Sequence, residues 1–193
     1  MAAQKLILGS ASPRRKALLE AIGIPFEVRP ADIEESYPSG LQGHEITDYL
    51  ALAKARALGL SGEETTLVLT ADTIVWFGGR VMEKPSDTAQ ARATLEQLSG
   101  AWHEVITSVC FSQGPTRNLV HAITRVKFAP LDAQMISSYL QKGHPLDKAG
   151  AYGIQEWIGL VGIEEVRGSY TNVVGLPTEL VYKTLRAMGF PLF

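Results

Sequence analysis

The chain is short of the residues that staple, anchor or strongly charge a protein. It has one cysteine, Cys110, among 193 residues. That excludes an intramolecular disulfide and any multi-cysteine zinc site. Its four histidines, His44, His103, His121 and His144, are scattered and show no metal-ligand spacing. The apolar run at the start, Met1-Ala-Ala-Gln-Lys-Leu-Ile-Leu-Gly9, is too short for a signal peptide or a membrane span. A reducing cytoplasm and no membrane partner are therefore expected. Neither charge sign dominates: 18 Lys and Arg face 20 Asp and Glu, a formal net charge of −2. A general nucleic-acid binder needs a basic face, so no stable nucleic-acid complex is expected. No internal repeat, low-complexity tract or long linker interrupts the sequence.

What is present is the balance of an ordinary globular protein, with 46% hydrophobic and 20% charged residues. A chain of this length buries roughly 70% of the surface its unfolded form exposes, so no metal or disulfide is needed to fold it. One domain over residues 1–193 is the expectation, with two lobes about a cleft compatible with that length.

The order of elements follows from periodicity and punctuation. Residues 5–9 read as a short buried strand, stopped by Gly-Ser-Ala-Ser. A helix is predicted over 13–21, with Ser12 as N-cap, Pro13 at its first position and Gly23 past its end. Residues 25–29 read as a second strand and 45–58 as a helix. A strong strand pattern covers 66–77, and Gly78-Gly79 suits a hairpin returning through 80–82. Ser86 or Asp87 caps a helix to Leu98. Strands are predicted at 103–112, 119–128 and near 160–166, and helices at 132–141 and 178–188. This pattern gives an α/β protein with a mixed sheet and flanking helices.

Three stretches fit a purely structural reading badly. Arg14-Arg15-Lys16 stands in the opening turn of a helix, where the partial positive charge disfavours cations by roughly 0.3–1 kcal/mol each. A capped helix start after a strand offers free backbone N–H groups, and two arginines suit it to phosphate. A solvated basic surface is the alternative. Asp72 interrupts the apolar run Leu67-Val-Leu-Thr-Ala-Asp-Thr-Ile-Val75. A carboxylate placed there needs a cation, a metal or several hydrogen bonds. It reads equally as a general base or metal ligand and as an acid accepting backbone N–H bonds. Lys84-Pro85 follows the hairpin, which can return that lysine towards Asp72. The third stretch is Asp147-Lys-Ala-Gly-Ala-Tyr-Gly-Ile-Gln155, followed by residues 168–177. Its glycines allow close backbone approach, and the Gln155 amide can read a base edge or simply face solvent. Lys54 lies on a helix flank, where lysines are ordinarily solvated. Glu34 and Glu35 can supply a carboxylate to a divalent cation, although paired loop acids are commonplace. Trp76, Trp102, Trp157 and Cys110 read as packing residues.

In order along the chain, Ser10-Ala-Ser-Pro-Arg-Arg-Lys-Ala-Leu-Leu19, Ala71–Val75, Glu83-Lys-Pro85, Leu98-Ser-Gly-Ala-Trp-His103, Asp147–Gln155 and Asn172–Pro177 resemble the Maf family of nucleoside triphosphate pyrophosphatases. The resemblance implies a two-lobed α/β fold of the Maf/ITPase-like kind, with a central cleft. It also implies hydrolysis of a nucleoside triphosphate to monophosphate and pyrophosphate with a divalent cation, Mg²⁺ or alternatively Mn²⁺ or Co²⁺. Arg14-Arg15, Asp72-Thr73 and Lys148–Gln155 resemble the branch acting on dTTP and UTP more than the one acting on 7-methyl-GTP. By this likeness Asp72 is the general base, and Arg14, Thr73 and Gln155 set base specificity. Ser10, Arg15, Lys54 and Lys84 hold the phosphates, and Glu35 joins Asp72 at the metal. Action on 7-methyl-GTP, or nucleotide binding without catalysis in a regulator of cell division, are the competing functions. The oligomeric state is open, a homodimer included.

Overall fold

The computed structural model describes residues 5–59 and 65–192; residues 1–4, part of the N-terminal run considered above, lie outside them. The described elements are β1 (Lys5–Leu8), α1 (Pro13–Ala21), β2 (Glu27–Val28), α2 (His44–Ala57), β3 (Thr66–Phe77), β4 (Arg80–Met82), α3 (Thr88–Leu98), β5 (Trp102–Gln113), β6 (Thr116–Phe128), α4 (Ala133–Lys142), α5 (Trp157–Gly162), β7 (Ile163–Arg167), α6 (Tyr170–Val174) and α7 (Thr178–Ala187). Two short 3-10 turns, Pro145–Asp147 and Ala149–Ala151, precede α5.

The strands join in the order β2-β1-β3-β5-β6-β7, with β4 paired to β3. β1 runs parallel to both β2 and β3, whereas the β3–β4 and β6–β7 pairs are antiparallel. The sheet is mixed, and the expected α/β architecture is what the chain adopts.

The chain forms two compact units. The first comprises residues up to Asp72, Thr107–Ala122 and Gly175 onwards; the second comprises Thr73–Ile106 and Ile123–Val174. Each has its own apolar core. In the first, Leu6 and Leu8 of β1, Leu19 of α1, Leu67 and Leu69 of β3, Phe111 of β5 and Leu185 of α7 pack together. In the second, Val75, Leu95, Phe128, Ile136, Tyr139 and Ile158 do so. Burial of this apolar surface is the main favourable term holding each unit together.

Local signals account for most boundaries. Ser12 Oγ accepts from the Arg15 N–H at the start of α1, and Asp87 and Asp132 cap α3 and α4 in the same way. Gly78 and Gly79 take φ of 58° and 77°, the conformation a two-residue hairpin between β3 and β4 requires.

Three expectations are corrected. The strand at 25–29 shrinks to Glu27–Val28, two residues paired with Ile7 and Leu8. The strand near 160–166 begins only at Ile163, because 157–162 form α5. Ile158 and Gly162, four apart, are buried there while Leu160 is 77% exposed, a helical pattern inside an apolar run that periodicity alone leaves ambiguous. Trp157 on this helix is 46% exposed and is no packing residue. Trp102, by contrast, packs against the Arg125 and Arg167 guanidinium groups, which lie 5.0 and 4.7 Å from its ring centre.

Candidate active site

Asp72, on β3, ends the first of the three segments that make up the first unit, and is only 6% exposed. Two periodicities meet at this acid. Thr70 and Asp72 are two apart and so face the same side of the strand. Ala51, Lys54 and Ala55 share one side of α2. The Thr70 hydroxyl donates to the Ala51 carbonyl at 2.7 Å, which locks helix to strand at that point. One turn further along α2, the Lys54 ammonium lies 2.7 Å from Asp72 Oδ1. The same ammonium is 2.6 Å from Glu35 Oε1.

Lys54 is therefore not the solvated lysine that its place on a helix flank suggested; it is 7% exposed. Alone, Lys54 or Asp72 would be costly to bury. Together they satisfy the requirement that a buried charge find an opposite one, and Glu35, with a side chain 47% exposed, adds a second carboxylate. Asp72 takes a side-chain cation, so the reading in which it only accepts backbone N–H bonds falls away.

Arg15 extends the cluster. Its Nε donates to the Gly175 carbonyl at 3.0 Å and its Nη1 to the Ala71 carbonyl at 2.8 Å, beside Asp72. Nη1 also donates to Ser10 Oγ at 3.3 Å. Burial lowers the Arg15 pKa from its ordinary value, while the negative charges of Asp72 and Glu35 oppose that fall and neighbouring Arg14 adds to it. Arg14 itself is half-buried in the first turn of α1. Ser10, Arg15, Glu35, Lys54 and Asp72 thus form one polar network within the first unit, with Arg14 next to it.

The second unit carries the other expected residues. Thr73 follows Asp72 on β3 and is half-buried. Lys84 is exposed, two residues beyond the Val75–Met82 pair of the hairpin. Gln155 is exposed and ends a loop held by an ionic knot around the buried Lys148. Lys148, 5% exposed, places its Nζ 2.8 Å from Glu156 Oε1, 2.6 Å from Asp147 Oδ1 and 2.6 Å from the His144 carbonyl. The Tyr139 hydroxyl donates to Glu156 Oε2 at 2.5 Å. Burial and that acid raise the Tyr139 pKa well above its usual range. The loop before Gln155 is consequently pinned despite its glycines, and Gln155 faces solvent. Sequence reasoning did not single out Glu156 or Tyr139 as anchors, since nothing local marks either as a partner of Lys148.

Two carboxylate oxygens converging on one ammonium are also the donor set that a hard divalent cation uses, oxygen ligands of negative charge. Asp72 and Glu35 therefore fit the metal role that the sequence resemblance implied.

The Maf-like protein family profile matches residues 5–188. The dTTP/UTP pyrophosphatase of Flavobacterium psychrophilum is 50% identical over 178 residues, covering 92% of this chain and 91% of that one. The dTTP/UTP pyrophosphatase of Phocaeicola vulgatus is 46% identical over 185 residues, covering 95% and 96%. Among solved structures, the Staphylococcus aureus Ham1 protein superposes with a TM-score of 0.54 at 15% identity, over 96% of this chain and 100% of that one, a likeness of fold. With its motifs, its mixed sheet and a profile match over nearly its whole length, the chain belongs to the Maf-like protein family.

Proposed function

We propose that this protein is a nucleoside triphosphate pyrophosphatase, hydrolysing dTTP and UTP to the monophosphate and pyrophosphate and clearing unwanted pyrimidine nucleotides from the cytoplasmic pool. The observation that carries the reading is the buried Lys54–Asp72 pair, with the exposed Glu35 carboxylate on the same ammonium and Arg15 beside it. A triphosphate brings about four negative charges, which arginine and lysine must meet before a nucleophile approaches. The relatives at 50% and 46% identity are named for dTTP and UTP, which supports the same substrates.

In this mechanism Arg15 and Lys54 bind phosphate oxygens, with Ser10 positioning the Arg15 guanidinium and Lys84 adding charge. Asp72 accepts the proton of a water that attacks the α-phosphorus. The bond from that phosphorus to the bridging oxygen breaks, and pyrophosphate leaves with the electron pair. Asp72 and Glu35 would hold a divalent cation. When bound, such a cation supplies charge neutralisation on the phosphate oxygens. Arg14, Thr73 and Gln155 select the base, since a wrong base leaves buried polar groups unpaired.

The test is pyrophosphate release from a panel of dTTP, UTP, the other common triphosphates and 7-methyl-GTP, with and without Mg²⁺. Rapid release from dTTP and UTP is expected. Preference for 7-methyl-GTP would move the chain to the other branch of the family, and binding without release from any of them would make it a regulator.

A further inference from the structure

Away from Asp72, α2 begins with a second cluster. His44 is the first residue of the helix, Asp48 lies one turn on, and His121 comes from β6. All three belong to the first unit. The His44 and His121 ring centres are 4.3 Å apart with planes tilted by 30°. His121 Nδ1 is 3.8 Å from Asp48 Oδ1. One ligand atom from each of the three residues lies within 4.8 Å of the others.

Asp48 is held in place. Ser108 Oγ donates to its Oδ1 at 2.5 Å. The Thr47 hydroxyl sits 2.6 Å from Ser108 Oγ and 3.0 Å from the His44 carbonyl oxygen. Ser108 and Thr47 are both fully buried, so a rigid polar layer lies beneath a solvent-facing set of donors.

We infer that His44, Asp48 and His121 form a second metal site, selective for a borderline transition-metal ion of the Zn²⁺ class. Two imidazole nitrogens and one carboxylate oxygen are the donors such ions take, and three protein ligands leave a position for water. The hydrogen bond from Ser108 to the ligating carboxylate is the outer support that orients ligands at metal centres. Mg²⁺ prefers oxygen donors and keeps its waters, so it does not compete for this set. The two sites are separated by chemistry: oxygen only at Asp72 and Glu35, mixed nitrogen and oxygen here. His44 lies ten residues before Lys54 on the same helix, about 15 Å along its axis. An ion bound here ties the start of α2 to β6 and so steadies the helix that carries Lys54.

The histidines are more than seventy positions apart in sequence, which is why they read as scattered there. The test is calorimetric titration of the full chain with Zn²⁺ in excess Mg²⁺, with Co²⁺ as an absorbing probe. One ion per chain is expected, with a visible Co²⁺ absorption. His121→Gln and His44→Gln, both at exposed positions, should each weaken binding at least about tenfold. Ser108→Ala should weaken it about 10–100-fold. The unliganded thermal midpoint of each histidine variant reports that it still folds. Equal Zn²⁺ affinity in the double histidine variant, or no binding by the native chain in excess Mg²⁺, overturns the site. Either result leaves the pyrophosphatase reading untouched.

Discussion

Lys54 Nζ sits 2.7 Å from Asp72 Oδ1, and both side chains are more than nine-tenths buried. The pair joins α2 to β3 and puts the only acid of an apolar strand in contact with a fixed positive charge. Removing one member is harsher than altering the other, because an unpartnered charge is left inside. Lys54→Met should cost about 3–5 kcal/mol in urea denaturation. Asp72→Asn keeps a hydrogen-bonding side chain and should retain the fold while turnover falls by about 10²-fold or more. Unchanged pyrophosphate release by Asp72→Asn would remove Asp72 from the chemistry.

Arg15 tests whether geometry or charge matters beside that pair. Lysine preserves the charge but has no fork to reach both the Gly175 and Ala71 carbonyls. Arg15→Lys should lose about 1.5–3 kcal/mol of stability, the range for hydrogen bonds from a charged group. KM for the triphosphate should rise as well. A variant indistinguishable from the native protein in both measurements would show that only charge counts at this position.

His103 gives a pH signature. Its ring is 2% exposed, stacks against Phe128, and has Nε2 2.7 Å from the Tyr152 hydroxyl. Burial lowers its pKa from 6.5 to about 4. The unfolded chain thus takes up a proton that the folded chain refuses. The contribution is complete above pH 6.5 and is lost as pH falls through the window down to about 4. The loss over that window is about 3 kcal/mol. His103→Phe should flatten the stability-against-pH curve there, measured by thermal midpoint. A curve of unchanged steepness would place the acid sensitivity elsewhere.

Gly150, between Lys148 and Gln155, has φ of 69°, and a Cβ added to it would lie 2.9 Å from Val75 Cγ2. Gly150→Ala should destabilise the fold by about 1–2 kcal/mol from the backbone conformation alone. Val75→Ala removes the Cγ1 and Cγ2 contacts but leaves the Val75 Cβ 3.1 Å away, so against a Val75→Ala background the added methyl should cost less but not nothing. Full recovery in the double variant would mean that the left-handed backbone imposes no cost.

Much of the fold was legible because its signals are local. Ser12 and Pro13 start α1, Asp87 and Asp132 cap α3 and α4, and Gly78-Gly79 turns β3 into β4 within a few residues of the features they control. Where a short apolar run fits two periods, as at residues 157–162, the reading failed. Burial of Ile158 against distant core residues made that choice. The candidate site divides in the same way. Asp72 stood out because it breaks an apolar strand, and Arg14-Arg15 because they oppose a helix dipole, conflicts visible in a handful of neighbouring residues.

The sequence alone determined which groups are chemically out of place and which elements carry them, since capping, turn formation and alternation act over less than two turns of chain. Only the tertiary structure decided which partner each group finds. Lys54 is solvated or buried according to whether β3 brings Asp72 against α2, and the Lys148 knot and the His44–His121 pair depend likewise on contacts across the fold. The reason is that the energy of a charge or a ligand atom is set by what lies within a few ångströms of it in space, and chain separation places no limit on that neighbour.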